Sequence, residues 1–146
     1  MHDHAQAEGF ISSTERKEAS VSGKKRKEIH LVLTNNWRII FSTEPDVAIR
    51  DPKGQLQVAI EIKGSMDKAG AKTRLGEAKK SFAKAKAENA HCSTIYLASC
   101  FTDAVLSQLK TEREVDLHFS LIENLADEAK KIQFLKELFD YQIRIE

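Results

Sequence analysis

The segment from Pro45 to Lys63 constrains this chain more than any other, because apolar and polar residues alternate on both sides of a tight turn. In PDVAIRD (45–51), Val47 and Ile49 share a face. In QLQVAIEIK (55–63), Leu56, Val58, Ile60 and Ile62 face one way, and Gln55, Gln57, Ala59, Glu61 and Lys63 face the other. Between them, DPKG (51–54) has Pro at the second turn position, where its fixed φ is useful, and Gly at the close. Two alternating runs joined in this way make an antiparallel hairpin. If Val47 lies opposite Ile60 and Ile49 opposite Val58, the apolar halves coincide. Asp46 then stands opposite Glu61 on the non-core face, and a slip of one residue would turn Asp46 toward the core. A type I turn with a bulge at Gly54 favours the register displaced by one residue, so burial and turn chemistry pull in different directions.

The remaining pattern places this hairpin in an α/β chain. Residues 1–20 are polar without a steady period and read as a flexible N-terminal arm, leaving 21–146 as a single domain. In SGKKRKEIHLVLTNN (22–36), Ile29, Val32 and Leu33 have helical spacing, and Asn35-Asn36 suits a helix end. WRIIF (37–41) is a short strand. A helix is expected from about 69 to 89, with Ala71, Leu75, Ala78, Phe82 and Ala85 forming one apolar stripe. STIYLASC (93–100) is a strand covered on both faces, TDAVLSQLK (102–110) a helix capped by Thr102, and VDLHFSLI (115–122) a further strand. A last helix runs from about 125 to 139. The order αβββαβαβα predicts a mixed β-sheet flanked by helices.

Hydrophobic residues are 41% and charged residues 31% of 146, which suits a globular domain rather than a disordered one. No apolar run approaches the ~18 residues of a membrane span, and no signal-like stretch opens the chain, so a cytoplasmic location is expected. Cys92 and Cys100 flank one strand and are read as reduced thiols. His2 and His4 could hold a metal but form a terminal pair without further ligands and read as solvated, and His91 and His118 lack partners at metal-binding spacing. The net charge is +1, yet eight Lys or Arg lie between Ile62 and Lys86 against Asp67 and Glu77. From Thr111 onward nine acids face five bases. Lys72, Lys79 and Lys86 at heptad spacing, with Arg74 and Lys80 nearby, form a basic helix face suited to tracking a polyanion's backbone, and Lys24-Lys25-Arg26-Lys27 is a second basic run.

Two carboxylates directly opposite on a hairpin lie roughly 5 Å apart. They repel, and both ionise readily only with a cation between them. Mg²⁺ suits such a place, because it takes one or two carboxylates together with water and phosphate oxygens. Lys63 projects on the same face as Glu61, where its ammonium can meet charge developing on a phosphate. Gly64 follows, leaving bare backbone where a ligand could approach.

Pro45-Asp46, fourteen intervening residues and then Glu61-Ile62-Lys63 resemble the PD-(D/E)XK motif of the restriction-endonuclease-like nuclease superfamily, and the αβββαβ order around them is similar. EIKGSMDKAGAKTRLGEAKKSF (61–82) and TIYLASC (94–100) resemble the catalytic region of the XcyI-type restriction endonucleases, which are type II enzymes. This likeness spans about residues 20–125. It implies a restriction-endonuclease-like core and Mg²⁺-dependent hydrolysis of phosphodiester bonds in double-stranded DNA, with Mn²⁺ as a substitute ion. Asp46 and Glu61 would be metal ligands and Lys63 the catalytic lysine. Glu28, with Glu18 as the alternative, would be the carboxylate that many members bring to the metal from their first helix. Enzymes of this type are usually longer, so a homodimer or a part of a larger restriction enzyme is expected. A structure-specific resolvase or repair nuclease on the same core, and a non-catalytic DNA-binding module, are the alternatives.

Overall fold

The computed structural model describes residues 1–145. A short helix, α1 (His2–Ala7), precedes a seven-stranded sheet whose spatial order follows the chain. Strands β1 (Ile11–Val21), β2 (Lys24–Leu33), β3 (Arg38–Phe41), β4 (Val47–Arg50) and β5 (Leu56–Lys63) form an antiparallel meander. Helix α2 (Ala71–Glu88) crosses over to β6 (Ser93–Ala98), and α3 (Asp103–Leu109) to β7 (Leu117–Ser120), both parallel to β5. Helices α4 (Leu121–Ala126) and α5 (Glu128–Lys136) and a π-helical segment (Glu137–Ile143) complete the chain. This is the expected mixed sheet flanked by helices. Among the described residues, no helix is long and apolar enough to cross a membrane.

The sheet buries both faces, each through its own apolar cluster. On one face Leu31, Ile39, Ile49, Val58, Ile60 and Ile95 pack against Ala5, Phe134, Leu138 and Phe139 from the terminal helices. On the other, Ala48, Ala59 and Tyr96 receive the predicted α2 stripe, with Ala71, Leu75, Ala78, Phe82 and Ala85 all buried. Thr102 caps α3 as expected, accepting from the Val105 N–H at 3.3 Å. Cys92 is buried, Cys100 is half-buried, and both are free thiols.

Three expectations are overturned. Residues 22–36 are not a helix: Lys24–Leu33 is strand β2, hydrogen-bonded to β1 and β3. The same residues fit period two, with Leu31 and Leu33 fully buried, and sheet pairing selects that period over the helical one. Residues 1–20 are not a loose arm. They hold α1 and most of β1, which pairs with β2 across a two-residue turn in which Ser22 (φ 51°) and Gly23 (φ 75°) are both left-handed. Such a turn matches the twist of the strands it joins. Leu56 does not share a face with Val58 and Ile60. A bulge between Ile49 and Arg50 shifts the register, so Leu56 pairs with Arg50 and joins the α2-side cluster.

Candidate active site

The Asp51–Gly54 turn holds the hairpin. Gly54 (φ 83°) donates to the Asp51 carbonyl at 2.9 Å, and Asp51 Oδ1 accepts from the Lys53 and Gln55 N–H groups, each at 2.9 Å. Next to the turn the pairing is the displaced register, Arg50 with Leu56. Beyond the bulge it is the burial register, Val47 with Ile60 and Ile49 with Val58. The two competing preferences are both satisfied, each at its own end, and continuing the pairing by one step puts Asp46 opposite Glu61.

Asp46 is half-buried, and its Oδ2 accepts from the Ile62 backbone N–H at 2.7 Å, which fixes the carboxylate against β5 beside Glu61. Glu61 is 3% exposed. Its Oε2 lies 3.2 Å from Lys63 Nζ, and its Oε1 is buried with no hydrogen-bond partner. Burial raises the Glu61 pKa; the nearby Ser81 hydroxyl of α2 offsets part of that rise, and Asp46 adds to it. The face carrying these groups is therefore not open, as the alternation alone suggested, because α2 covers it as far as Ser81. Lys63 is partly exposed at the rim, and a side chain at Gly64 would meet nothing within 4 Å.

An orphaned buried carboxylate oxygen and a second carboxylate opposite form a donor set that fits a hard divalent cation, with water and phosphate oxygens completing its shell and the lysine at the edge left outside it. Asp46 and Glu61 would hold the ion. Among the described residues no group of three or more His, Cys, Asp or Glu comes together to hold a metal.

Glu28 lies on β2, not on a helix. Its Oε2 is 2.8 Å from His30 Nε2, and its Oε1 accepts from Ser42 Oγ at 3.2 Å. The pairings run Lys17–Glu28 and Tyr96–His118 at the ends, with Ser42, Asp46 and Glu61 between them. Glu28 thus shares the row and face of Asp46 but stands two strands away, about 10 Å at ordinary strand spacing. It is not brought to the carboxylate pair. Glu18 pairs with Lys27 on the opposite face. A cleft of about 400 Å³ runs along the row from Pro45 past Ala48, Ser42, His30 and Glu28 to Lys17.

The basic face of α2 is divided. Lys79 Nζ lies 2.6 Å from Glu112, and Lys86 Nζ lies 2.8 Å from Asp116. Asp116 also accepts from the Thr94 N–H at 2.9 Å. Lys79 and Lys86 therefore dock the acidic α3–β7 connection to α2, while Lys72 and Lys80 remain exposed. Arg74 turns back on its own helix start, bonding the Asp67 carbonyl. Heptad spacing showed that the lysines share a face but not what packs there. Ser81, His30 and Ser42 escaped the sequence reading. Ser81 alone carried a signal, as a hydroxyl inside an apolar stripe.

The family model described as XcyI restriction endonuclease matches residues 15–139. No curated protein and no solved structure matches.

Proposed function

The chain belongs to the XcyI restriction endonuclease family, and we propose that it is a Mg²⁺-dependent endonuclease of type II restriction type, cutting double-stranded DNA at the Asp46–Glu61–Lys63 cluster. The membership supports a restriction-type nuclease in general. The observation that carries the chemistry is the buried, unpartnered Oε1 of Glu61 on a strand whose register, continued by one step, sets Asp46 opposite on the same side of the hairpin.

Asp46, pinned by the Ile62 N–H, and Glu61, held under α2, would bind the ion and fix its place relative to the sheet edge. A bound Mg²⁺ supplies Lewis acidity and a water of lowered pKa beside the phosphate. Lys63, close to Glu61, opposes part of the rise in its pKa, and its ammonium at the rim would stabilise charge on the phosphate as it develops. The α2 cover excludes water from the inner side of Glu61, which strengthens these interactions.

The test is incubation with plasmid and with a synthetic four-way junction, each with Mg²⁺ and with EDTA. Plasmid cleavage that requires Mg²⁺ is expected. Lys63→Ala should retain the parent melting temperature and DNA affinity while losing most of the cleavage. A Lys63→Ala protein that cuts at the parent rate removes Lys63 from the mechanism, and preferential cutting of the junction points to a resolvase.

A further inference from the structure

Strands β1 and β2 pair from Ile11–Leu33 to Val21–Lys24, but β3 pairs with β2 only over Ile29–Val32. Residues 24–28 thus have β1 as their one ladder partner among the described residues, and β1 is the outermost strand of the sheet. The result is a two-stranded ribbon extending about 17 Å past β3, at roughly 3.4 Å per residue. Between Arg16 and Lys27 it carries six Lys or Arg and a single acid, Glu18. Arg16, Lys17, Lys24, Lys25 and Lys27 are exposed. The cations emerge on both faces: Lys17, Lys24 and Arg26 on the face of Asp46, and Arg16, Lys25 and Lys27 on the other. An exposed ribbon end with this charge has no core to serve. Its apolar content is low where the strands outrun the sheet, so packing does not explain its length.

We propose that this ribbon is the arm that grips double-stranded DNA, lying in the major groove beside the cut site. The inference rests on the nuclease reading for the identity of the nearby site, and three observations support it. A two-stranded β-ribbon has the width the major groove admits. The charge complements phosphates on both walls of a groove, because cations project from both faces. The cleft that begins at Pro45 ends at Lys17, three strand spacings from Asp46, or about 14 Å. That distance would put the gripped groove within a few base pairs of the cut phosphate. Of the α2 cations expected to track phosphates, Lys79 and Lys86 are engaged by Glu112 and Asp116, while Lys72 and Lys80 stay exposed.

The test measures binding in EDTA, where cleavage does not interfere. A mixed-sequence duplex should bind the full chain with a steep salt dependence. Replacing Lys24, Lys25, Arg26 and Lys27 together by Gln should weaken binding at least about tenfold, and should flatten the slope of log K on log salt by roughly one unit per lost phosphate contact. Lys72→Gln with Lys80→Gln should change both much less. In the unmodified protein, duplex should shield Lys24, Lys25 and Lys27 from acetylation while Lys136 stays reactive, a readout independent of how the variant folds. Bound protein should also protect guanine N7, in the major groove, from methylation. A parent-like slope in the ribbon variant, equal acetylation with and without duplex, unprotected guanine N7, or failure of the chain to bind duplex would overturn the proposal. Duplex bound through the ribbon by a protein that leaves plasmid intact with Mg²⁺ would instead sink the nuclease reading and leave the ribbon's role standing.

Discussion

Glu61 is the residue whose surroundings are least comfortable. Burial holds its pKa above the ordinary 4.5, with Ser81 opposing that rise and Asp46 reinforcing it. A carboxyl with a raised folded-state pKa favours the folded protein below its unfolded value. That advantage disappears as pH rises through the folded value, after which the anion costs stability. In EDTA at neutral pH, Glu61→Gln should therefore melt higher than the parent, and the difference should vanish in acid below the ordinary carboxylate pKa. The same substitution should abolish the melting-temperature rise that Mg²⁺ or Mn²⁺ gives the parent, because it removes the charge that binds the ion. Scanning calorimetry across pH, with and without the ion, reads both effects. A Glu61→Gln protein that melts lower in EDTA would show that the carboxylate is satisfied in the folded chain.

Among the elements, α2 combines three jobs: it covers Glu61, carries the β5-to-β6 crossover, and anchors the acidic α3–β7 connection through Lys79 and Lys86. Its apolar stripe was plain from spacing, but Gly76 was not explained by it. A close approach of helix to sheet would account for this glycine, yet a Cβ built at Gly76 would meet nothing within 4 Å. Its backbone φ is not left-handed either, so glycine brings only the cost of extra unfolded-state freedom. Gly76→Ala should stabilise the protein by about 1 kcal/mol, raising Tm by roughly 2–4 °C. A fall in Tm would show that the space above Gly76 is used. Hairpin β4–β5 shows a second relation between element and site. Its turn prefers one register and its core another, and the bulge after Ile49 lets the chain keep the first at the turn and the second at the carboxylates.

For the whole molecule, on the proposed nuclease reading one Asp46–Glu61 pair would supply one cut, and a double-strand break needs two. Single-chain cleavage of both strands would require the site to re-engage the duplex in the opposite polarity. Two chains related by a twofold axis would match a palindromic target directly. Sedimentation with duplex DNA should give two chains per duplex, accompanied by plasmid linearised at fixed positions. A monomeric complex with slow nicking and no site preference would mean that a further recognition segment is needed. Rapid double-strand cutting at one sequence by a monomer would contradict both.

The sequence by itself determined the α/β class, the shared face of Val47, Ile49, Val58 and Ile60 in the β4–β5 hairpin, the α2 stripe and the Pro45-Asp46…Glu61-Ile62-Lys63 pattern. Each is written in local periodicity or in residues a few positions apart, where hydrophobic spacing and turn chemistry act without distant partners. Residues 22–36 were beyond its reach: Ile29, Val32 and Leu33 fit a helix, Ile29, Leu31 and Leu33 fit a strand, and only pairing with β1 and β3 decided between them. The tertiary structure also separated Glu28 from the carboxylate pair by two strands and gave it His30 and Ser42 as partners. It turned Lys79 and Lys86 toward Glu112 and Asp116. The Glu28–Ser42, Lys79–Glu112 and Lys86–Asp116 contacts join groups 14 to 33 positions apart in the chain, and their free energies arise only after the sheet has assembled and water has left its two faces.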